Sequence, residues 1–137
     1  MITRDELRRI PELHRQIRRD EEQLLFLREK ATSIPSIMPD PNKVQTSPVN
    51  NANIYSDAAI DLAREIEEER AEREELQEKA RILIVSLPCT NQTERLTLKV
   101  MRLRYLKCCS WDEVAELTGY FRRYVQRLEQ AVVDALE

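Results

Sequence analysis

Arg122, Arg123, Gln126 and Arg127 fall within six consecutive positions near the carboxyl end of the chain. Their chemistry is recognition by hydrogen bonding. A guanidinium can fork onto guanine O6 and N7 or onto a phosphate, and a glutamine amide can pair with adenine N6 and N7. On a helix running from 120 to 136, these four side chains point largely away from Val125 and Leu128, with Phe121 at the leading end. The stretch YFRRYVQRL, residues 120–128, holds three arginines and no acid. Residues 54–87 hold ten acidic and five basic side chains, a local net charge of −5 inside a chain whose total is only −3. A cationic ridge kept apart from an acidic arm suits a double-stranded DNA partner. The competing reading is that the arginines solubilise a terminal helix or pair with the acidic stretch.

Such side chains need a scaffold that aims them, and SWDEVAELTGYFRRYV, residues 110–125, has the parts of a helix-turn-helix. Ala115 is the small residue that lets a second helix cross closely. Gly119, the only glycine in the chain, follows four positions later, where the turn requires a positive φ. Val125 and then Leu128 supply an aliphatic ridge on the second helix. Val114 completes the buried set, and Trp111 is expected against the preceding helix.

From RLTLKVMRLRYLKCCSWDEVAELTGYFRRYVQRLEQAVVDAL the last third of the chain resembles region 4 of bacterial sigma factors. It is more similar still to small phage-encoded transcription regulators of the RinA and ArpU type. The residues that carry the likeness are Arg104-Tyr105-Leu106, Ser110-Trp111, Glu113-Val114-Ala115, Gly119-Tyr120, Val125 and Arg127-Leu128. The layout further forward is similar more loosely. The resemblance implies late-gene or packaging-gene activation in a bacterial host cytoplasm, with the second helix of the motif in the major groove. It sets RNA polymerase as a second candidate partner. Three residues depart from the family pattern. Phe121 replaces a capping Ser or Thr, Thr118 replaces a buried aliphatic, and Cys108-Cys109 replace a stretch that often contains glycine.

Ahead of this region the sequence predicts two long helices. Thr3 and Glu6 have capping-box spacing, and Pro11 either kinks the first helix or opens its regular part. Ile10, Leu13, Ile17, Leu24, Leu27 and Ala31 then form a heptad-like seam with Asp20 as its polar interruption. Residues 32–53, with four prolines and many Ser, Thr and Asn, read as a flexible linker. The second helix, 54 to 87, has Tyr55, Ala59, Leu62, Ile66, Leu76, Ala80, Leu83 and Leu87 on its seam, with Glu69 and Arg73 in the middle. An antiparallel hairpin would bring Asp20 within reach of Arg70 or Arg73. A third helix is expected from 93 to 107, with Leu96, Val100, Leu103 and Leu106 on one side. The expected fold is therefore all-α: a long, coiled-coil-like helical hairpin (1–31, linker 32–53, 54–88) followed by a helix-turn-helix domain over 89–137. Pairing of the long helices within one chain or between two stays open, and the charged seam with its acidic arm points to a homodimer.

Other chemistry finds little footing. Charged residues make up 34% of the chain and aromatics 5%, which suits solvated helices better than a large core. Carboxylates are plentiful, but no nucleophile sits beside a base and no glycine loop cradles phosphate, so the expectation is no enzyme and no cofactor. Cys89, Cys108 and Cys109 lack CxxC spacing and read as reduced thiols. The lone His14 reads as a surface residue, and no metal site is expected. No apolar run approaches the roughly 20 residues that span a bilayer, and no leader pattern opens the chain. The sequence thus predicts a soluble, cytoplasmic protein with no membrane partner. The rival function is a helical oligomerising adaptor, or a packaging protein like a small terminase subunit, whose terminal helices bind protein or nonspecific DNA. Such subunits usually place the DNA-binding part first, and here it is last.

Overall fold

The computed structural model describes residues 1–32 and 51–136. All of its elements are helical: α1 (Arg4–Thr32), α2 (Asn51–Ser86), α3 (Gln92–Met101), a π-helical turn (Arg102–Leu106), α4 (Trp111–Thr118) and α5 (Arg122–Asp134). Most of the expected linker, 33–50, lies outside the described residues. Its flanks are helical, since α1 includes Thr32 and α2 begins at Asn51 rather than at Ile54.

The capping box starts α1 as its spacing requires. Glu6 N donates to Thr3 Oγ1 and Thr3 N donates to Glu6 Oε1, both at 3.2 Å. The helix then runs through Pro11 without a break. Pro11 has no N–H to offer the Leu7 carbonyl, but the apolar face on either side of it is buried. Leu7, Ile10 and Leu13 have no exposed surface, and that burial outweighs one missing backbone bond.

The chain groups into two compact units, Met1–Arg15 with Arg70–Glu137, and Gln16–Glu69. The carboxy-terminal helices therefore share a unit with the amino end of α1 and the carboxyl end of α2, whereas the sequence placed a boundary near residue 88. In the first unit, Leu7, Ile10 and Leu13 join Ala80, Ile84, Met101, Tyr105 and Val133 in one core. Partners on α1 and α2 occur in reverse order. Lys79 Nζ donates to Glu6 Oε2 at 2.7 Å, Arg9 Nε to Glu72 Oε1 at 3.3 Å, and Arg73 Nη1 to His14 Nδ1 at 3.1 Å. The Lys79 hydrogen bond holds the Glu6 carboxyl below its ordinary range, and Glu6 in turn raises the Lys79 ammonium. His14 is half-buried rather than superficial, because the seam turns it toward α2. Arg4 closes the unit: its Nε donates to the Val133 and Leu136 carbonyls and its Nη2 to that of Asp134, all at 3.1 Å. A cation thus caps the carbonyl-rich end of α5.

In the second unit the seam thins. Ile17, Ala59 and Ile66 are buried. Leu24, Leu27, Tyr55 and Leu62 are half-buried, while Leu25, Phe26, Ile54 and Ile60 are exposed. Among the described residues, no helix is long and apolar enough to cross a membrane.

Candidate functional site

Three fully buried valines, one per helix, hold α3, α4 and α5 together: Val100, Val114 and Val125. Leu96, Leu103, Cys109 and Trp111 pack around them. The predicted third helix ends early as an α-helix, at Met101, and continues as the π turn, where Lys107 N donates to Arg102 O at 3.0 Å. Gln77 on α2 braces that turn by donating from Nε2 to the Tyr105 and Leu106 carbonyls at 3.0 and 3.3 Å. Cys108, just beyond, sits at φ 54°. That is the left-handed backbone which glycine adopts freely and which costs another residue roughly 1 kcal/mol or more. Burial raises the Cys108 and Cys109 thiols above their ordinary range.

Ser110 begins α4 with a second capping box, Glu113 N donating to Ser110 Oγ at 3.2 Å and Ser110 N to Glu113 Oε1 at 3.3 Å. Gly119 ends it at φ 76°, ψ 12°, with its N–H donated to the Ala115 carbonyl at 2.9 Å. A Cβ built on Gly119 would meet nothing within 4 Å. Gly119→Ala is therefore expected to cost only the backbone strain, about 1–2 kcal/mol. Urea unfolding checks this, and a much larger loss would show that the turn is packed rather than merely bent. Thr118 is half-buried and sends its hydroxyl back to the Val114 carbonyl at 2.7 Å, which satisfies the polar atom that stands where an aliphatic was expected.

α5 starts without a side-chain cap. Phe121 is extended at φ −67°, ψ 146°, and only its carbonyl takes part, accepting from Tyr124 N and Val125 N at 3.0 and 3.2 Å. Its ring is 88% exposed. The buried ridge of α5 is Val125, Glu129 and Val133, spaced by four. Leu128, expected in that ridge, instead lies at its edge. It is half-buried and lines an apolar groove of about 480 Å³ with Leu83, Leu87, Ala131 and Val132. The ridge passes through Glu129 because Tyr105 meets it there: the Tyr105 hydroxyl donates to Glu129 Oε1 across the interior. Burial, and then this bond, push the Tyr105 phenol well above its ordinary range.

Opposite this ridge stand Arg123 and Arg127, four apart, both exposed. Gln126, on the flank, is half-buried. Arg122 is exposed but engaged, its Nη1 3.3 Å from Asp112 Oδ1 on α4. The two side chains keep 56% and 82% of their surface, so the pair contributes about 0–1 kcal/mol and exchanges readily. Ala115 is half-buried at the crossing, and Trp111 lies beneath the Arg104 guanidinium, 4.7 Å from its ring centroid. Arg104 also donates to the Cys109 carbonyl at 3.0 Å.

Two features were missed in the sequence. Asp112 lies ten positions from Arg122, and only the turn brings them together. Arg95, Lys99 and Arg102 are all exposed at i, i+4 and i+7; this cationic stripe along α3 and into the π turn was legible from spacing alone. Among the described residues no group of three or more His, Cys, Asp and Glu is placed to hold a metal. No family model, curated protein or solved structure matches this chain.

Proposed function

We propose that the chain is a sequence-specific double-stranded DNA-binding regulator of transcription, with α4 and α5 as a helix-turn-helix and α5 as the helix that enters the major groove. The observation that carries this reading is the split character of α5. Val125 is fully buried against α3 and α4, while Arg122, Arg123 and Arg127 are exposed on the same two turns. The left-handed Gly119 between α4 and α5 is the turn chemistry that such a crossing needs. The likeness to sigma region 4 and to the RinA and ArpU regulators supports a phage or prophage late-gene activator, with RNA polymerase a second partner. In this account α1 and α2 form a helical hairpin that positions the reader and associates as a homodimer.

The Arg122–Asp112 pair fits the same account as a contact that duplex phosphates displace. Asp112→Asn would release Arg122 and remove a negative charge from the approaching surface. Duplex affinity is expected to rise about two- to fivefold, matching the modest worth of an exposed pair. Unchanged or weakened binding by fluorescence anisotropy would remove Arg122 from the interface.

A second reading, a protein-binding adaptor of the packaging type, draws on one observation: Leu117, Tyr120 and Phe121 are all exposed beside the turn. Selection of bound duplexes from a random pool separates the two. A regulator enriches a defined sequence whose affinity falls steeply with salt, because arginine–phosphate contacts release counterions. No enrichment would favour the adaptor.

A further inference from the structure

We infer that Phe121 reads the C5-methyl group of a thymine in the bound duplex, an assignment that rests on the functional reading above. The ring is 88% exposed, so it contributes little to any core. It stands immediately before α5, at a position where Ser, Thr or Asp would satisfy a helical amide and where Phe121 makes no side-chain hydrogen bond. Local folding therefore does not account for an aromatic residue there. Leu117 and Tyr120, 57% and 40% exposed, extend the apolar surface on its amino side, and the exposed Arg122 and Arg123 follow it. The leading end of α5 is thus an apolar tip followed by guanidiniums.

In helix-turn-helix docking the amino-terminal residues of the second helix are those that meet base edges. The major-groove edge is mostly a row of donors and acceptors, and its one bulky apolar group is the thymine methyl. A phenyl ring pressed on any other edge would strip water from polar groups and give them no partner, which costs free energy. On a thymine it covers the methyl, while the neighbouring arginines take guanine or phosphate. The chemistry of the tip therefore selects one base out of four.

The test uses the full chain and the duplexes it selects from a random pool. Each thymine in turn is replaced by deoxyuridine, which keeps the base pair and removes only the methyl group. Affinities are measured by anisotropy for wild type, Phe121→Ala and Phe121→Leu. At one position, wild type is expected to weaken about fourfold, the worth of one buried methyl. Phe121→Ala binds the parent duplex more weakly and is indifferent to the change at that position, and Phe121→Leu, which keeps an apolar tip, retains the sensitivity. Equal sensitivity of wild type and Phe121→Ala at every thymine overturns the assignment, as does a selected sequence without thymine. Unchanged affinity of Phe121→Ala for the parent duplex does the same and points to a protein partner. In each of those cases duplex binding itself survives. Absence of salt-sensitive binding to any selected duplex instead removes the functional reading, and the assignment with it.

Discussion

Replacing Arg122, Arg123 and Arg127 together by alanine is expected to lower duplex affinity by about two orders of magnitude at roughly 0.1 M salt, and to flatten its salt dependence. Each arginine that forks onto a base carries about 1–3 kcal/mol of discrimination, and each that meets a phosphate contributes about one to the slope of affinity against salt. Loss of all three is thus worth at least about 3 kcal/mol, or a drop of up to about three in that slope. The variant should fold normally, because all three side chains are exposed and, among the described residues, only Arg122 holds an ion pair, itself solvated. Anisotropy across a salt series, with circular dichroism to confirm helicity, measures both quantities. Single variants then sort the roles. A uniform loss over all duplexes marks a phosphate contact, and relaxed preference at one base pair marks a base contact.

The second large effect lies in the interior. Tyr105→Phe removes the hydroxyl that donates to Glu129 and leaves a carboxylate that is only 8% exposed without that donor. The expected cost is about 1–3 kcal/mol, toward the upper end because the acceptor is charged. Glu129 lies on the same helix as Arg127, so weakening its anchor loosens the helix that presents the cationic face. The difference has a signature in pH. Burial raises the Tyr105 phenol in the folded chain, so the folded state holds that proton more tightly than the unfolded one. The stability this contributes is complete below about pH 10, where an unfolded tyrosine begins to ionise, and it declines as pH climbs further. Tyr105→Phe lacks the group altogether. The gap between the two proteins in urea unfolding should therefore be constant near neutrality and shrink above about pH 10. A gap that stayed constant there would mean that Tyr105 ionises as readily in the folded chain as in the unfolded one, and a gap that widened would mean that it ionises more readily.

Periodicity made the helical class and much of the core legible. Ile10, Leu13, Ile17, Ala59, Ile66, Leu76, Ala80 and Leu83 were all expected on the seams, and all are buried. Leu7 and Ile84 were not expected, because a two-helix seam does not foresee Met101, Tyr105 and Val133 packing on the same helices. The division near residue 88 missed this for the same reason: the partners of α3 and α5 lie at the opposite end of the chain. Arg4 illustrates it, since its three carbonyl partners are about 130 residues away and no local pattern announces them. In the candidate site, the spacing of Ala115, Gly119 and Val125 was readable because a turn imposes it. The displacement of Leu128 by Glu129 was not, because a buried carboxylate looks like surface until Tyr105 is found opposite. Cys108 lies between these cases. The absence of a glycine where the regulators the chain resembles often have one was visible, and a positive φ is found there. Pro11 was left open between a kink and a start, and α1 passes through it because the burial around it outweighs the lost amide.

Sequence-specific reading by α5 requires that it lie in the major groove, and guanine N7 reports that groove directly. Dimethyl sulfate protection on the selected duplex should show N7 shielded at discrete guanines with the wild-type chain, and reopened with the Arg122, Arg123 and Arg127 triple variant at protein concentrations that restore occupancy. A duplex that is bound yet leaves every guanine N7 open to methylation would contradict it.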